Sequence, residues 1–86
     1  NFSVYPYLQF ILEDNIEKHP RECKKWLEQL MNTTTKYIDD HSAQEFIQRE
    51  SLHIPNTLSW LETNDPTYYI SIKGTINKLI NYGALR

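Results

Sequence analysis

Two small groups of side chains in this chain are of the types that bind metals or transfer protons. His19 and Cys23 are four residues apart, so a helix would place both on one face. A structural zinc site needs four ligands, usually with several cysteines among them, and Cys23 is the only cysteine in the chain. We therefore interpret Cys23 as a core residue and His19 as a surface residue that precedes Pro20.

The second group is the run Asp39-Asp40-His41, which has the residue types to hold a cation or relay a proton. Such a run is also typical of a polar turn before a capped helix, and we prefer that interpretation. The only two glycines, Gly74 and Gly83, are nine residues apart, which excludes a glycine-rich phosphate loop. We expect no catalytic residue, no cofactor and no metal, and hence a protein that is not an enzyme.

Helical spacing of apolar residues predicts the elements that would position any functional side chain. The predicted helices span about 5–18, 20–32, 42–51, 56–64 and 72–82. The run TYYISI, residues 67–72, is rich in strand-forming residues and predicts one short strand. The predicted fold class is therefore mainly α, a compact bundle of four to five short helices with this strand near 67–72.

The second and the last predicted helices have the clearest core faces. Asn32 and the threonines after it are expected to end the second helix. Gly83 is expected to stop the last helix in the left-handed conformation, and Gly74 to indicate close approach of a neighbouring element. The residues expected to face the core are Cys23, Trp26, Leu27, Leu30 and Met31 on the former and Ile72, Ile76, Leu79 and Ile80 on the latter.

The composition is ordinary for a globular domain. Of the 86 residues, 40% are hydrophobic and 23% are charged, so residues 1–86 are expected to form a single helical domain. No apolar run reaches the roughly 18 residues of a membrane span, so we expect no membrane partner. Because the chain begins with Asn1 rather than Met, we expect a fragment of a longer protein. A lone cysteine favours a reducing, intracellular compartment, nuclear or cytoplasmic.

Two stretches resemble parts of known domain families. SIKGTINKLINYGALR, residues 71–86, resembles the third helix of winged-helix and other helix-turn-helix domains, where an apolar helix face is followed by a glycine and a strand. WLETNDPTYYIS, with Trp60, Asn64, Pro66 and Tyr69, is similar to the Trp…Asn-Pro…Tyr region of SWIRM domains of chromatin proteins. The long helix that SWIRM domains carry after that region is missing here, so the sequence assigns no family.

The likeness to helix-turn-helix domains implies nucleic-acid binding by the 72–82 helix as one function. Asparagine and lysine side chains can bond base edges, and residues 67–86 carry no acidic side chain. The net charge of −2 argues against this function, because affinity for nucleic acid comes chiefly from neutralised phosphates. The residues that would contact nucleic acid are Lys73, Thr75, Asn77, Lys78 and Asn81.

Binding of another protein or peptide is the preferred function, in a non-catalytic adaptor or scaffold domain of a larger intracellular protein. Aromatic residues make up 13% of the chain, and tyrosine and tryptophan are enriched in interface hot spots. Trp60, Tyr68 and Tyr69 are the expected contact residues. In an extended strand the two adjacent tyrosines would point to opposite faces, one inward and one towards a partner.

Overall fold

The computed structural model describes residues 5–41 and 51–86, with side chains from residue 8 onward. These residues form four α-helices: α1 (Tyr5–Asn15), α2 (Pro20–Asp40), α3 (Pro55–Asn64) and α4 (Pro66–Asn81). Helix α1 packs against α2 and α3, and α3 packs against α4. The radius of gyration is 12.3 Å, close to the roughly 12 Å expected for a compact chain of this length. A mainly helical, compact fold is thus confirmed, whereas the helix predicted over 42–51 lies outside the described residues except for Ser51.

Helix α2 is longer than predicted, because the threonines do not end it. The Thr34 hydroxyl donates a 2.7 Å hydrogen bond to the carbonyl of Leu30, one turn back, so this polar side chain is satisfied inside the helix. Thr34 and Ile38 are both buried and continue the apolar stripe of the first half of the helix by two more turns. Burial of Ile38 therefore outweighs the weak intrinsic preference of threonine for other conformations.

Helix α4 begins at Pro66, six residues before the predicted start at residue 72, and the prediction of a short strand over 67–72 is wrong. Pro66 suits the first turn, and the Asp65 carboxylate accepts a 3.3 Å hydrogen bond from the backbone N–H of Tyr68. Strand-forming residues lose only a few tenths of a kcal/mol each in a helix. Burial of the Ile72 side chain offsets that loss, so the segment is helical.

The core is formed by the inner faces of all four helices and by buried apolar residues in the segments that precede or follow the helices in the chain. Leu30, Ile76 and Leu79 are buried as predicted. Trp26 is 37% exposed, so its assignment to the core is wrong. At about 100° per residue it lies roughly 90° from the middle of the buried stripe of α2, at the edge of that stripe. None of the four helices in the described ranges is long and apolar enough to span a membrane.

The end of α4 is shaped by Gly83, which has a positive φ of 79° as predicted. The Gly83 N–H bonds the carbonyl of Ile80, and the Ala84 N–H bonds the carbonyl of Leu79, both at 2.9 Å. This pair of bonds is a Schellman motif, which needs a left-handed residue at the glycine position. The reversed chain then forms an isolated parallel bridge between Leu85 and Leu52.

The two glycines of the chain are expected to respond oppositely to alanine. Gly83→Ala should lower the free energy of unfolding by about 1–2 kcal/mol, because alanine is strained in the left-handed region. Gly74 lies inside α4, and no other element of the described residues comes within 4 Å of its Cβ position, so the expected close approach of a neighbour is not found among them. Gly74→Ala should therefore raise the free energy of unfolding by about 0.5–1 kcal/mol. Urea unfolding of both variants would test this, and a loss of stability in Gly74→Ala would contradict it.

Candidate interaction surface

The three aromatic residues predicted to contact a partner lie on the two helices that meet at Asp65, Trp60 on α3 and both tyrosines on α4. Trp60, Tyr68 and Tyr69 are all half-buried and pack against the hydrophobic core. Because α4 is helical here, the tyrosines are about 100° apart on its inner side, and the expectation that they point to opposite faces is wrong. The structure therefore brings the three rings close to the core and leaves part of each ring exposed.

Tyr68 is held by contacts within the chain. Its hydroxyl lies 3.3 Å from the backbone carbonyl of Lys24 and 3.3 Å from Oε1 of Glu28, both on α2, and can donate to either. Burial raises the pKa of the Tyr68 hydroxyl, and the negative charge of Glu28 raises it further, so the group remains a donor at neutral pH. Nζ of Lys24 lies 5.2 Å from the centroid of the Tyr68 ring and 2.6 Å from Oδ2 of Asp65. These contacts fix the α3–α4 corner on α2.

The ion pair between Lys24 and Asp65 predicts a specific loss of stability in acid. The hydrogen bond from Lys24 holds the pKa of the Asp65 carboxyl below its ordinary value, and the Tyr68 N–H acts in the same direction. Because the folded pKa is lower than the unfolded one, ionised Asp65 stabilises the fold above about pH 4, and this contribution disappears as the pH falls through the folded pKa. Asp65→Asn keeps an N-cap acceptor but does not titrate.

The test compares urea midpoints at about pH 6 and pH 2.5. The urea concentration at the midpoint should decrease less on going from the higher to the lower pH for Asp65→Asn than for the natural chain. Glu62→Gln removes an exposed carboxylate of α3 and should behave like the natural chain. Equal falls in all three proteins would show that the Asp65 pair does not contribute.

Four of the five residues named for nucleic-acid binding are exposed on α4. Lys73, Asn77 and Asn81 follow one another along one outward side of the helix. Nζ of Lys78, on the neighbouring side, lies 5.9 Å from the ring centroid of Tyr82. Thr75 is half-buried and lies about 160° around the helix from Asn77, so the structure does not place it with the others.

Two exposed isoleucines on α4 were missed by the sequence reasoning. Ile70 is 70% exposed, although the sequence predicts a strand there, and Ile80 is 49% exposed, although helical spacing predicts it on the core face. Together with Lys73 and Asn77 they have the spacing i, i+3, i+7 and i+10, which keeps them on one side of a helix. We call these four residues the α4 seam. Its spacing is readable in the sequence once residues 66–81 are recognised as one helix.

The residues first considered for metal or proton chemistry are not grouped into a site. Cys23 is buried in the core and His19 is exposed, and burial raises the pKa of the Cys23 thiol, with the charge of Glu22 adding to the effect. A thiol with a raised pKa is a poor nucleophile and a poor metal ligand at neutral pH. Among residues 5–41 and 51–86 no three His, Cys, Asp or Glu side chains are placed to hold a metal ion together.

Comparison with known proteins gives no relative: no protein-family description, no curated protein and no solved structure matches the chain.

Proposed function

We propose that this domain is a non-catalytic protein-interaction module of a larger intracellular protein, and that it binds its partner through the α4 seam. The observation that carries the proposal is the exposure of Ile70, at 70%, together with Ile80 on the same side of α4. A monomeric domain gains nothing from apolar side chains held in water, and covering them on binding contributes about 25 cal/mol per Å².

The inner side of α4 supports this assignment, because other apolar residues on that side make the contact with the core. Ile72, Ile76 and Leu79 are buried and make the contact with the core. The isoleucines of the seam are thus not needed to hold α4 in place. Half-buried Tyr69 borders the seam, whereas Tyr68 lies about 160° around α4 from the middle of the seam and Trp60 lies on α3. The three aromatic residues remain proposed contacts, with Tyr68 the least available because its hydroxyl bonds α2.

Site-specific photo-cross-linking in cells tests the proposal. The chain would carry p-benzoylphenylalanine at position 70, or at position 62 on the exposed side of α3 as a control. We expect discrete adducts from position 70 that are absent from position 62. A second substitution, Ile80→Lys, should abolish them without changing the circular dichroism spectrum, because Ile80 is outside the core. Identical adducts from both positions, or none from position 70, would overturn the proposal.

Nucleic-acid binding is the alternative, and one feature of α4 favours it. No acidic side chain follows Asp65, and Lys73, Asn77 and Asn81 share one exposed side. A winged-helix or helix-turn-helix arrangement would accompany this function. However, a single residue, Asp65, separates α3 from α4, whereas the turn of a helix-turn-helix has three to four residues.

A salt titration with a random-sequence duplex separates the two functions. We expect no binding at about 150 mM salt, because the two lysines of α4 can neutralise few phosphates. Micromolar affinity that falls with salt at a log–log slope of about −2 would instead support the alternative.

A further inference from the structure

We infer that the occupant of the α4 seam is a second copy of this chain, paired with the first so that the two α4 helices run antiparallel about a two-fold axis. This inference rests on the proposed function, since it names the partner of the same surface. It is carried by the order of residues along the seam, by the charge of Lys73 and by the position of Gly74.

The seam has the spacing of a coiled-coil contact, and this spacing is the same from either end, with an isoleucine at each end. In a heptad, Ile70 and Asn77 occupy a positions while Lys73 and Ile80 occupy d positions. In an antiparallel pair, a positions face d positions of the other helix. Ile70 would therefore face Ile80 of the second copy, and Lys73 would face Asn77. Each exposed isoleucine is matched by another isoleucine, which is the self-complementarity that a two-fold interface requires.

The charge of Lys73 distinguishes the antiparallel from the parallel arrangement. A parallel pair in register would put two Lys73 ammonium groups in one layer, where like charges repel. In the antiparallel pair each ammonium group instead lies opposite the amide oxygen of an Asn77, which can accept its hydrogen bond. Antiparallel helices also place opposite dipole ends together.

Gly74 lies beside the centre of the seam, close to the proposed two-fold axis. It costs about 0.5–1 kcal/mol relative to alanine inside a helix, and apart from its neighbours along the helix no atom of the described residues lies within 4 Å of the Cβ position. The contacts within the described part of the chain therefore give no reason for a glycine here. In the antiparallel pair two Gly74 residues face each other across the axis and let the helix axes approach closely.

The expected dimer is weak. Helix α4 has 16 residues and is about 24 Å long, so the seam is smaller than the interfaces of stable complexes, which bury about 1,200–2,000 Å². We expect a dissociation constant of about 0.1–1 mM for the isolated chain. Sedimentation equilibrium over roughly that range should show the mean mass rising from one chain towards two.

Disulfide trapping tests the arrangement directly. The double variant Ile70→Cys with Ile80→Cys should form a covalent dimer on mild oxidation, because an antiparallel pair brings position 70 of one copy to position 80 of the other. The two single variants are the matched controls and should stay monomeric, because the antiparallel pair holds equal positions about 15 Å apart. The buried Cys23 is present in all three proteins, so it cannot account for a difference between them. Gly74→Gln should reduce trapping of the double variant at least fivefold while leaving the helix content unchanged.

The outcomes distinguish this inference from the proposed function. Equal trapping of Ile70→Cys alone would indicate a parallel pair and overturn the arrangement. A chain that stays monomeric at about 2 mM and is not trapped would overturn self-pairing. If position-70 adducts with a different protein then appear in cells, the proposed function stands and only this inference fails; if no adducts appear, both fail.

Discussion

Leu79→Ala is expected to lower the free energy of unfolding by about 3–4 kcal/mol, the largest effect of any single substitution we propose. The Leu79 side chain is fully buried in the core cluster, on the inner side of α4. Truncation removes three carbon atoms from contact with their neighbours and leaves a cavity. Because a domain of this size has a total stability of about 5–15 kcal/mol, the variant should be close to unfolding at 37 °C.

Its matched control is the next residue along the chain. Ile80→Ala removes a similar volume from a side chain that is 49% exposed, so we expect a loss of less than about 1 kcal/mol. Urea unfolding at about 10 μM, well below the expected dimer constant, compares the two in the monomeric state. Equal losses would mean that α4 is rotated about its axis relative to the structure, and would also remove Ile80 from the seam.

Where an element is determined by local sequence signals, the structure agrees with the prediction. The sequence predicts a helix over 56–64, with Asn56 as its N-cap, and α3 spans Pro55–Asn64. Its end is a local signal, the Asn-Asp-Pro turn, whereas its N-cap is Ile54 and not Asn56. The left-handed Gly83 is likewise a local requirement. The prediction is wrong where a helix boundary depends on contacts that are distant in sequence. The C-terminal half of α2 is helical because Ile38 is buried in the core, and the residue types at 32–35 do not indicate that burial.

The candidate surface was predicted only in part, for a related reason. The side of α4 that carries Lys73, Asn77 and Asn81 follows from helical period alone. Ile70 was missed because a strand was assigned to 67–72, and that assignment hid the regular spacing between Ile70 and Lys73. The availability of Tyr68 could not be judged from the sequence either, because its hydroxyl meets a carbonyl of Lys24, 44 residues away.

The second large effect concerns Glu13, whose carboxylate caps the start of α3 from the neighbouring helix α1. Oε2 accepts hydrogen bonds from the backbone N–H and from the hydroxyl of Thr57, both at 2.7 Å, and Oε1 accepts one from the N–H of Asn56 at 3.1 Å. The first N–H groups of a helix have no partner within the helix, and a negative charge there also favours the helix dipole. One residue of α1 thus does for α3 what an N-cap residue usually does, since Ile54 at the N-cap position has no side-chain acceptor.

Glu13→Ala should therefore lower the free energy of unfolding by about 2–3 kcal/mol, because it leaves the fully buried Thr57 without its acceptor as well as removing the cap. Asp14→Ala removes the same charge from an exposed neighbour and should change stability by less than about 0.5 kcal/mol. Glu13→Gln keeps one acceptor oxygen and should fall between the two. Urea unfolding measures all three, and hydrogen exchange should show faster exchange of the Asn56 and Thr57 amides in Glu13→Ala. If Glu13→Ala and Asp14→Ala were equally stable, α3 would not depend on the carboxylate of Glu13 for its cap.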